Sequence, residues 1–304
     1  MVTPSPAADR PDRAYATCAR FAREHYENFP VASRLLPARM RPHVAAVYAF
    51  ARVADDFADE GQRTAAERFA LLDAWLGRLR GCGPTVSTPE SDGPAELPAE
   101  TNDIFTALGC TIRECRLPLQ LFEDLLSAFR QDVATVRYRT WDELLDYCRR
   151  SANPVGRLVL RIAGHEDESL DRSSDAVCSA LQLTNFWQDV ERDWRRGRFY
   201  MPLDECRRAH ADFSDLDDGH LTPEWQRALA AAADRTATLF DDGRLVCDRV
   251  GGRLGLELRL TWLGGRRILS RIVRNDFDVF HQRPTLGATD VPALLWQALT
   301  WRTR

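Results

Sequence analysis

Four aspartates at one repeated spacing carry the first chemical signal in this chain. Asp55 and Asp59 lie in ARVADDFADE (51–60), Asp189 and Asp193 in NFWQDVERDW (185–194), and both stretches read D-x-x-x-D. On a helix, residues four apart share a face, so each pair sets two carboxylates side by side and repelling. A solvated acidic surface would tolerate that repulsion. Both stretches, however, are flanked by apolar and aromatic residues: Tyr48, Phe50, Val53 and Phe57 in the first, Phe186, Trp187 and Val190 in the second. Such surroundings favour a cation between the carboxylates. Mg²⁺ fits, because it is held by one or two carboxylates together with substrate phosphates and water. Two such helices facing each other would clamp a diphosphate. Arg52 stands three positions before Asp55, on the same face, and Arg195, Arg196 and Arg198 follow the second pair. Guanidinium groups would meet the charge that develops on a departing diphosphate.

The elements that must position these groups are helices. Leu117, Leu121, Leu125, Phe129 and Val133 recur every four residues; Trp141, Leu144, Leu145 and Cys148 form another stripe, and Val155, Leu158, Val159 and Ile162 a third. Ala/Leu/Arg-rich stretches follow at 222–248 and 253–274, and nothing reads as alternating strands. The fold class expected is all-α: one helical domain over 12–290, with a disordered segment at 1–11 and a C-terminal tail at 291–304. The Gly/Pro/Ser-rich run 81–100 and the acidic run 211–222 read as loops. The first is taken as a surface loop, because the paired motifs fall on both sides of it.

Composition narrows the chemistry. The 304 residues carry a net charge of −4, against a nucleic-acid binder. All 41 basic residues are Arg, so no lysine Schiff base or P-loop is available. The eight Cys form no C-x-x-C pair, and the polar, Pro-rich start reads as no secretory signal, so reduced thiols in a cytoplasmic protein are expected. No uncharged apolar run nears the ~18 residues of a spanning helix. Transient contact with a membrane, to collect a lipid, stays open. The six His show no H-E-x-x-H or E-x-x-H spacing, against zinc peptidase or di-iron chemistry. Gly251-Gly252 and Gly264-Gly265 read as helix interruptions or close helix contacts. Without a dinucleotide motif, no use of NADPH is expected.

Longer stretches carry a family resemblance. YAFARVADDFADE (48–60) and QLTNFWQDVERDWRRGRFYMP (182–202) resemble the two aspartate-rich signatures of squalene/phytoene synthases, and FRQDVATVRY (129–138) and ILSRIVRNDFDVF (268–280) fit as well. The resemblance covers roughly residues 14–285. It implies a helical bundle around a central cavity, with Mg²⁺ and a prenyl diphosphate held by Asp55, Asp59, Asp189 and Asp193. It places Arg52, Gln182, Asn185 and His25 at the phosphate end and Tyr147 near the reacting carbons. HYENFP (25–30), RRSANPVG (149–156) and NFWQDV (185–190) resemble the hydroxysqualene synthase branch, where N-I-L-R-D-V is common elsewhere in the family. Gln188 thus replaces an Arg, which speaks against condensing two farnesyl diphosphates.

The chemistry so implied is ionisation of presqualene diphosphate and capture of one water. A carbocation survives only in a largely dry cavity, where aromatic faces stabilise it. Phe29, Phe57, Tyr147 and Phe186 are candidates. Asn153 or Gln188 places the water. Asn153 also reads as a cap for a kink at Pro154; with Gly156 beside it, Pro154 reads as a kink facing the cavity, the alternative being a simple helix boundary. Two rival readings remain: condensation to presqualene diphosphate, squalene or dehydrosqualene, and a non-catalytic helical scaffold, which would have no use for four paired carboxylates. Other enzymes of the same pathway are the macromolecular partners the reading leaves room for.

Overall fold

The computed structural model describes residues 9–25, 35–82 and 97–302. Regular structure among them is helical, apart from an isolated bridge between Arg137 and Phe199. No described helix is long and apolar enough to cross a membrane. The chain forms two compact units. One runs to Ala134 and includes Arg157–Glu166; the other comprises Thr135–Gly156 and Asp167–Arg304.

The first unit contains α1 (Asp9–Glu24), α2 (Arg41–Asp59), α3 (Ala65–Arg80), α4 (Thr101–Cys115) and α5 (Leu119–Ala134). Its centre is α2, which packs against the other four. Five of the buried α2 positions are alanines, which lets neighbouring helices approach closely; Val44, Val47, Phe50, Val53 and Phe57 fill the remaining space. Phe50 is fully buried, with the rings of Trp75, Phe105 and Phe122 at 5.9, 6.0 and 5.5 Å. Burying a ring of this size contributes roughly 1.5–3 kcal/mol. The Trp75 indole N–H donates to the Phe50 carbonyl at 3.2 Å, so the large ring leaves no buried donor unmet. A reciprocal Thr64–Glu67 capping box starts α3.

The second unit contains α6 (Trp141–Ser151), the start of α7 (Asn153–Ala163), α8 (Glu168–Gln188), α9 (Val190–Arg195), α10 (Leu203–Ala209), α11 (Phe213–Asp217), α12 (Pro223–Asp242), α13 (Arg244–Arg249), α14 (Gly252–Arg274) and α15 (Val291–Leu299). Here α8 is central and packs against α6, α12, α13 and α14. The Trp187 indole donates to Thr236 Oγ1 at 2.8 Å and ties α8 to α12. Gly265 lets α14 close on both: a Cβ there would lie 2.5 Å from Leu181 Cδ2 and 2.7 Å from Phe240 Cζ. This is the close helix contact that the paired glycines suggested.

Several boundaries differ from the sequence reading. Residues 9–11 belong to α1, and 291–299 form α15, docked on α14, where a tail was expected. Proline near a helix start, as at Pro292, costs no hydrogen bond and favours the fold of this short apolar run. The acidic run 211–222 contains the short α11, begun by Asp212 accepting from the Ser214 N–H at 3.0 Å. Of the 81–100 loop, residues 83–96 lie outside the described residues, as do residues 1–8 and Phe29. Pro154 sits at the second position of α7, after a break at Ala152, so its missing N–H costs nothing there. All eight cysteines are free thiols.

Candidate active site

Each aspartate motif stands at the C-terminal end of the central helix of its unit. Asp55 and Asp56 lie in the last turns of α2, and Asp59 is its final residue. Asp189 is the C-cap of α8. Neither helix has a basic residue in its last turn. The helix dipole already places partial negative charge at this end, where cations stabilise and carboxylates do not. Both motifs therefore concentrate negative charge at the least favourable end of a helix, an arrangement that only a cation relieves.

In the first unit that relief comes from Arg52. Its Nη1 donates to Asp55 Oδ2 at 3.1 Å, and its Nη2 lies 2.8 Å from Asp56 Oδ1 and 2.7 Å from Glu60 Oε1. Burial pushes the Asp56 carboxyl above the ordinary carboxylate range; Arg52 opposes that rise, and Glu60 reinforces it. His25 adds a weaker opposing effect on Asp56, which puts it at the same end of α2. Its ring stacks on Phe21 at 4.1 Å, and its carbonyl accepts from the Tyr48 hydroxyl at 2.6 Å. The spacing thus brings Arg52, Asp55 and Asp56, half-buried, and Asp59 and Glu60, exposed, to one end of α2. Asp56 and Glu60 were not singled out from sequence, although both stand inside the quoted signature.

In the second unit the partner of Asp189 is Arg283, which comes from far along the chain. Its Nη2 donates to Asp189 Oδ2 at 2.9 Å and its Nε to Oδ1, a two-pronged pair. Asp189 and Asp193 raise the Arg283 guanidinium further above its usual value. Asn185 Nδ2 also donates to Asp189 Oδ2, at 3.0 Å. The two aspartates do not share an unbroken helix. The backbone leaves helical geometry at Asp189 (φ −109°, ψ 15°), and α9 restarts at Val190. The Asp193 N–H still donates to the Asp189 carbonyl at 2.9 Å, so one turn continues to set their separation.

The break coincides with a strap formed by residues 283–286. Arg283 holds Asp189, and the Gln188 side-chain amide donates to the Pro284 carbonyl. Arg271 donates to the Thr285 carbonyl, and Leu286 lies against Gly264. Gln188, read from sequence as a contact for substrate or water, therefore has its amide N–H in the strap. Asn153 is buried, and its Oδ1 accepts from Ser179 Oγ at 2.9 Å, joining α7 to α8. Gln182 lies on the face of α8 that carries Asn185 and Asp189, at i, i+3 and i+7. Of the following arginines, Arg195 pairs with Glu191 and Arg196 is exposed.

An aromatic group adjoins this second motif. Tyr147 is buried, with ring centroids of Tyr138, Tyr200 and Phe186 at 5.5, 6.1 and 6.2 Å. Phe186 and Tyr200 stack at 3.7 Å, nearly parallel. Tyr200 is held there because the Phe199 N–H donates to the Val136 carbonyl at 2.8 Å and the Leu203 N–H to the Tyr138 carbonyl at 3.0 Å. These long-range backbone bonds explain why the sequence reading found Tyr147 and Phe186 but not Tyr138 and Tyr200. Arg283 left no signal of its own in the sequence.

No cluster of three or more His, Cys, Asp and Glu side chains forms a metal cage among the described residues. Paired carboxylates at an anionic helix end suit an ion that keeps water and phosphate among its ligands, as Mg²⁺ does. The sequence pattern of squalene/phytoene synthases matches residues 22–290, spanning both motifs. The chain belongs to the squalene/phytoene synthase family. That family acts on prenyl diphosphates with divalent metal ions. Within it, a hydroxysqualene synthase of Rhodopseudomonas palustris is 36% identical over 252 residues, 82% of this chain and 80% of that protein. Another, from Zymomonas mobilis, is 37% identical over 215 residues, 70% and 67% of the two chains. The crystal structure of a squalene synthase from Alicyclobacillus acidocaldarius superposes with a TM-score of 0.79 at 39% identity, covering 90% of this chain and 97% of its own. The all-helical class expected of a family member is the class observed.

Proposed function

We propose that this synthase ionises presqualene diphosphate and captures water, releasing hydroxysqualene and diphosphate. The observation that carries the reading is the likeness to hydroxysqualene synthases across most of the chain, with both paired-aspartate motifs present. Atoms balance without a redox partner. The C–O bond to diphosphate breaks, the diphosphate takes the electron pair, the cation rearranges, and a water oxygen bonds to carbon and loses a proton. No reductant is required, in keeping with the expectation of no NADPH.

Asp55 with Asp59, and Asp189 with Asp193, would each hold Mg²⁺. When bound, the metal neutralises the diphosphate and favours its departure. The chain's own residues supply the remainder. Arg52 and Arg283 sit on the carboxylates of the two motifs and bring guanidinium charge to the phosphate end. Asn185, already bonded to Asp189, orients that carboxylate. His25 and Gln182 contribute polar contacts at the same end. The group of Tyr138, Tyr147, Phe186 and Tyr200 would form the wall facing the carbocation, where ring faces stabilise positive charge; Phe57, expected from sequence in that wall, is instead packed in the core of the first unit against Trp75 at 5.4 Å. This division of labour treats residues 12–290 as one working domain.

The terminating water needs a polar anchor. Ser151 Oγ is buried and finds no hydrogen-bond partner among the described residues. A buried hydroxyl in that condition favours a water beside it. Ser151 joins Asn153 as a candidate, whereas Gln188 is committed to the strap. The test is isotopic: purified protein, Mg²⁺ and presqualene diphosphate in ¹⁸O-water, without NADPH, should yield ¹⁸O-labelled hydroxysqualene. Abundant presqualene diphosphate from farnesyl diphosphate, or squalene formed only with NADPH, would instead assign the chain to the condensing branches.

A further inference from the structure

The α15 helix combines features that a solvated surface does not require. Its sequence, VPALLWQAL, contains no charge. Leu294 and Ala298 are buried, as a docked helix requires. Its other face exposes Val291, Trp296 and Leu299; Trp296 is 69% exposed and Leu299 68%. These three fall within one arc of the helix at 100° per residue, where a surface helix normally presents polar side chains. Aligned large apolar groups of this kind mark an interaction site.

Between α15 and α14, on the flank of α15 that carries Gln297, is a cavity of about 340 Å³, lined also by Arg266, Arg267, Arg271 and Arg274 of α14. Asp241 pairs with Arg266, and Asp290 with Arg267 and Arg271. Arg274 is exposed and has no acidic partner among the described residues. Four guanidinium groups against two carboxylates leave the cavity positive, although the whole chain is net negative.

We propose that α15 and this cavity form a docking surface for an anionic lipid bilayer. The helix would lie in the interface with Trp296 and Leu299 at the headgroup–acyl boundary, where the amphipathic indole is favoured. The arginines beside it would take headgroup phosphates, which suit their planar donors. A second copy of the chain fits less well. A nine-residue helix is about 14 Å long, and its outer strip is far smaller than the ~800 Å² per partner of a stable dimer. A two-fold contact would also bring the arginine cavity onto itself.

The inference stands independently of which prenyl diphosphate the enzyme uses. Its test is co-sedimentation with vesicles of phosphatidylcholine alone and of phosphatidylcholine mixed with phosphatidylglycerol. The protein should bind the mixed vesicles and not the neutral ones, with binding weakened by high salt. Arg274→Gln should weaken it about fivefold, and Trp296→Ser with Leu299→Ser should abolish it. All three positions are exposed, so unchanged circular dichroism and melting temperature verify that the variants fold. Equal binding to both vesicle types, or to neither, overturns the proposal. So does self-association in sedimentation velocity that Trp296→Ser removes, which assigns the face to a second copy. Calorimetric binding of inorganic phosphate that Arg274→Gln abolishes, without vesicle binding, makes the cavity a free-anion site and also overturns it.

Discussion

Replacing Asp55 or Asp189 by Asn keeps the size of the side chain and removes its charge. Relief of the repulsion at the negative end of each helix offsets part of what is lost from the pairs with Arg52 and Arg283, so either variant should lose no more than about 1 kcal/mol. Turnover should fall by about 10²–10³-fold if these carboxylates meet the charge of the reacting diphosphate. The measurement is product formation at saturating Mg²⁺, with the fold followed by circular dichroism; near-full activity in both variants would remove the site assignment. Arg283→Gln has the opposite character. It leaves Asp189, whose side chain is 12% exposed, without its two-pronged partner. A loss of about 2 kcal/mol in urea unfolding is expected, less than for a fully buried pair because Arg283 is itself partly in water. Added Mg²⁺ should raise the melting temperature of this variant more than that of the parent, since the ion can then neutralise the carboxylate that the arginine no longer covers. An equal rise in both would mean that Arg283 and the metal do not share Asp189.

At the scale of elements, two helices matter most, and both are central to their units. The fit of α8 against α12 and α14 depends on Gly265, where even a Cβ collides with Leu181 and Phe240. Gly265→Val should cost about 1–3 kcal/mol in thermal or urea unfolding. A stability equal to the parent would mean that α14 can slide without penalty. Much of this architecture was legible in the sequence, because a four-residue apolar repeat dictates a helix wherever it occurs; the runs at 222–248 and 253–274 became α12 to α14. The site was legible where it is local. Asp55 with Asp59, and Asn185 with Asp189, are one helical turn apart, and spacing alone exposes them. What escaped depends on contacts far apart in sequence. Arg283 meets Asp189 across 94 positions, and Tyr200 reaches Phe186 only because the segment after α9 hydrogen-bonds back to residues 136–138. The break at Asp189 was also missed: nothing in the local composition distinguishes a continuous helix from one interrupted for a single residue.

For the molecule as a whole, the cysteines set the response to alkali. Burial pushes Cys18, Cys206 and Cys247 from an ordinary value near 9 up to about 12, and Cys82 to about 11. A folded pKa above the unfolded one stabilises the protein fully below the unfolded value and loses that contribution as pH climbs through the folded one. Stability should therefore hold up to about pH 9 and fall progressively toward pH 11–12, as read by melting temperature across that range. Ellman's reagent near neutral pH should find only a minority of the eight thiols in the folded protein and all eight after denaturation. Rapid reaction of all eight in the native state would contradict the burial on which the alkaline prediction rests.

The strap at 283–286 has one more consequence, and it concerns broken chains. Four consecutive residues grip Asp189, Gln188, Arg271 and Gly264. The exposed stretch just ahead of them, around His281 and Gln282, is by contrast open to attack. A protease that nicked the backbone there would sever the covalent link without freeing the piece beyond it. Trypsin would also pass over the Arg283–Pro284 bond, because proline follows the arginine. The two fragments should travel together through gel filtration and separate only in denaturant, so a preparation that looks degraded on a denaturing gel would still be a folded particle in solution.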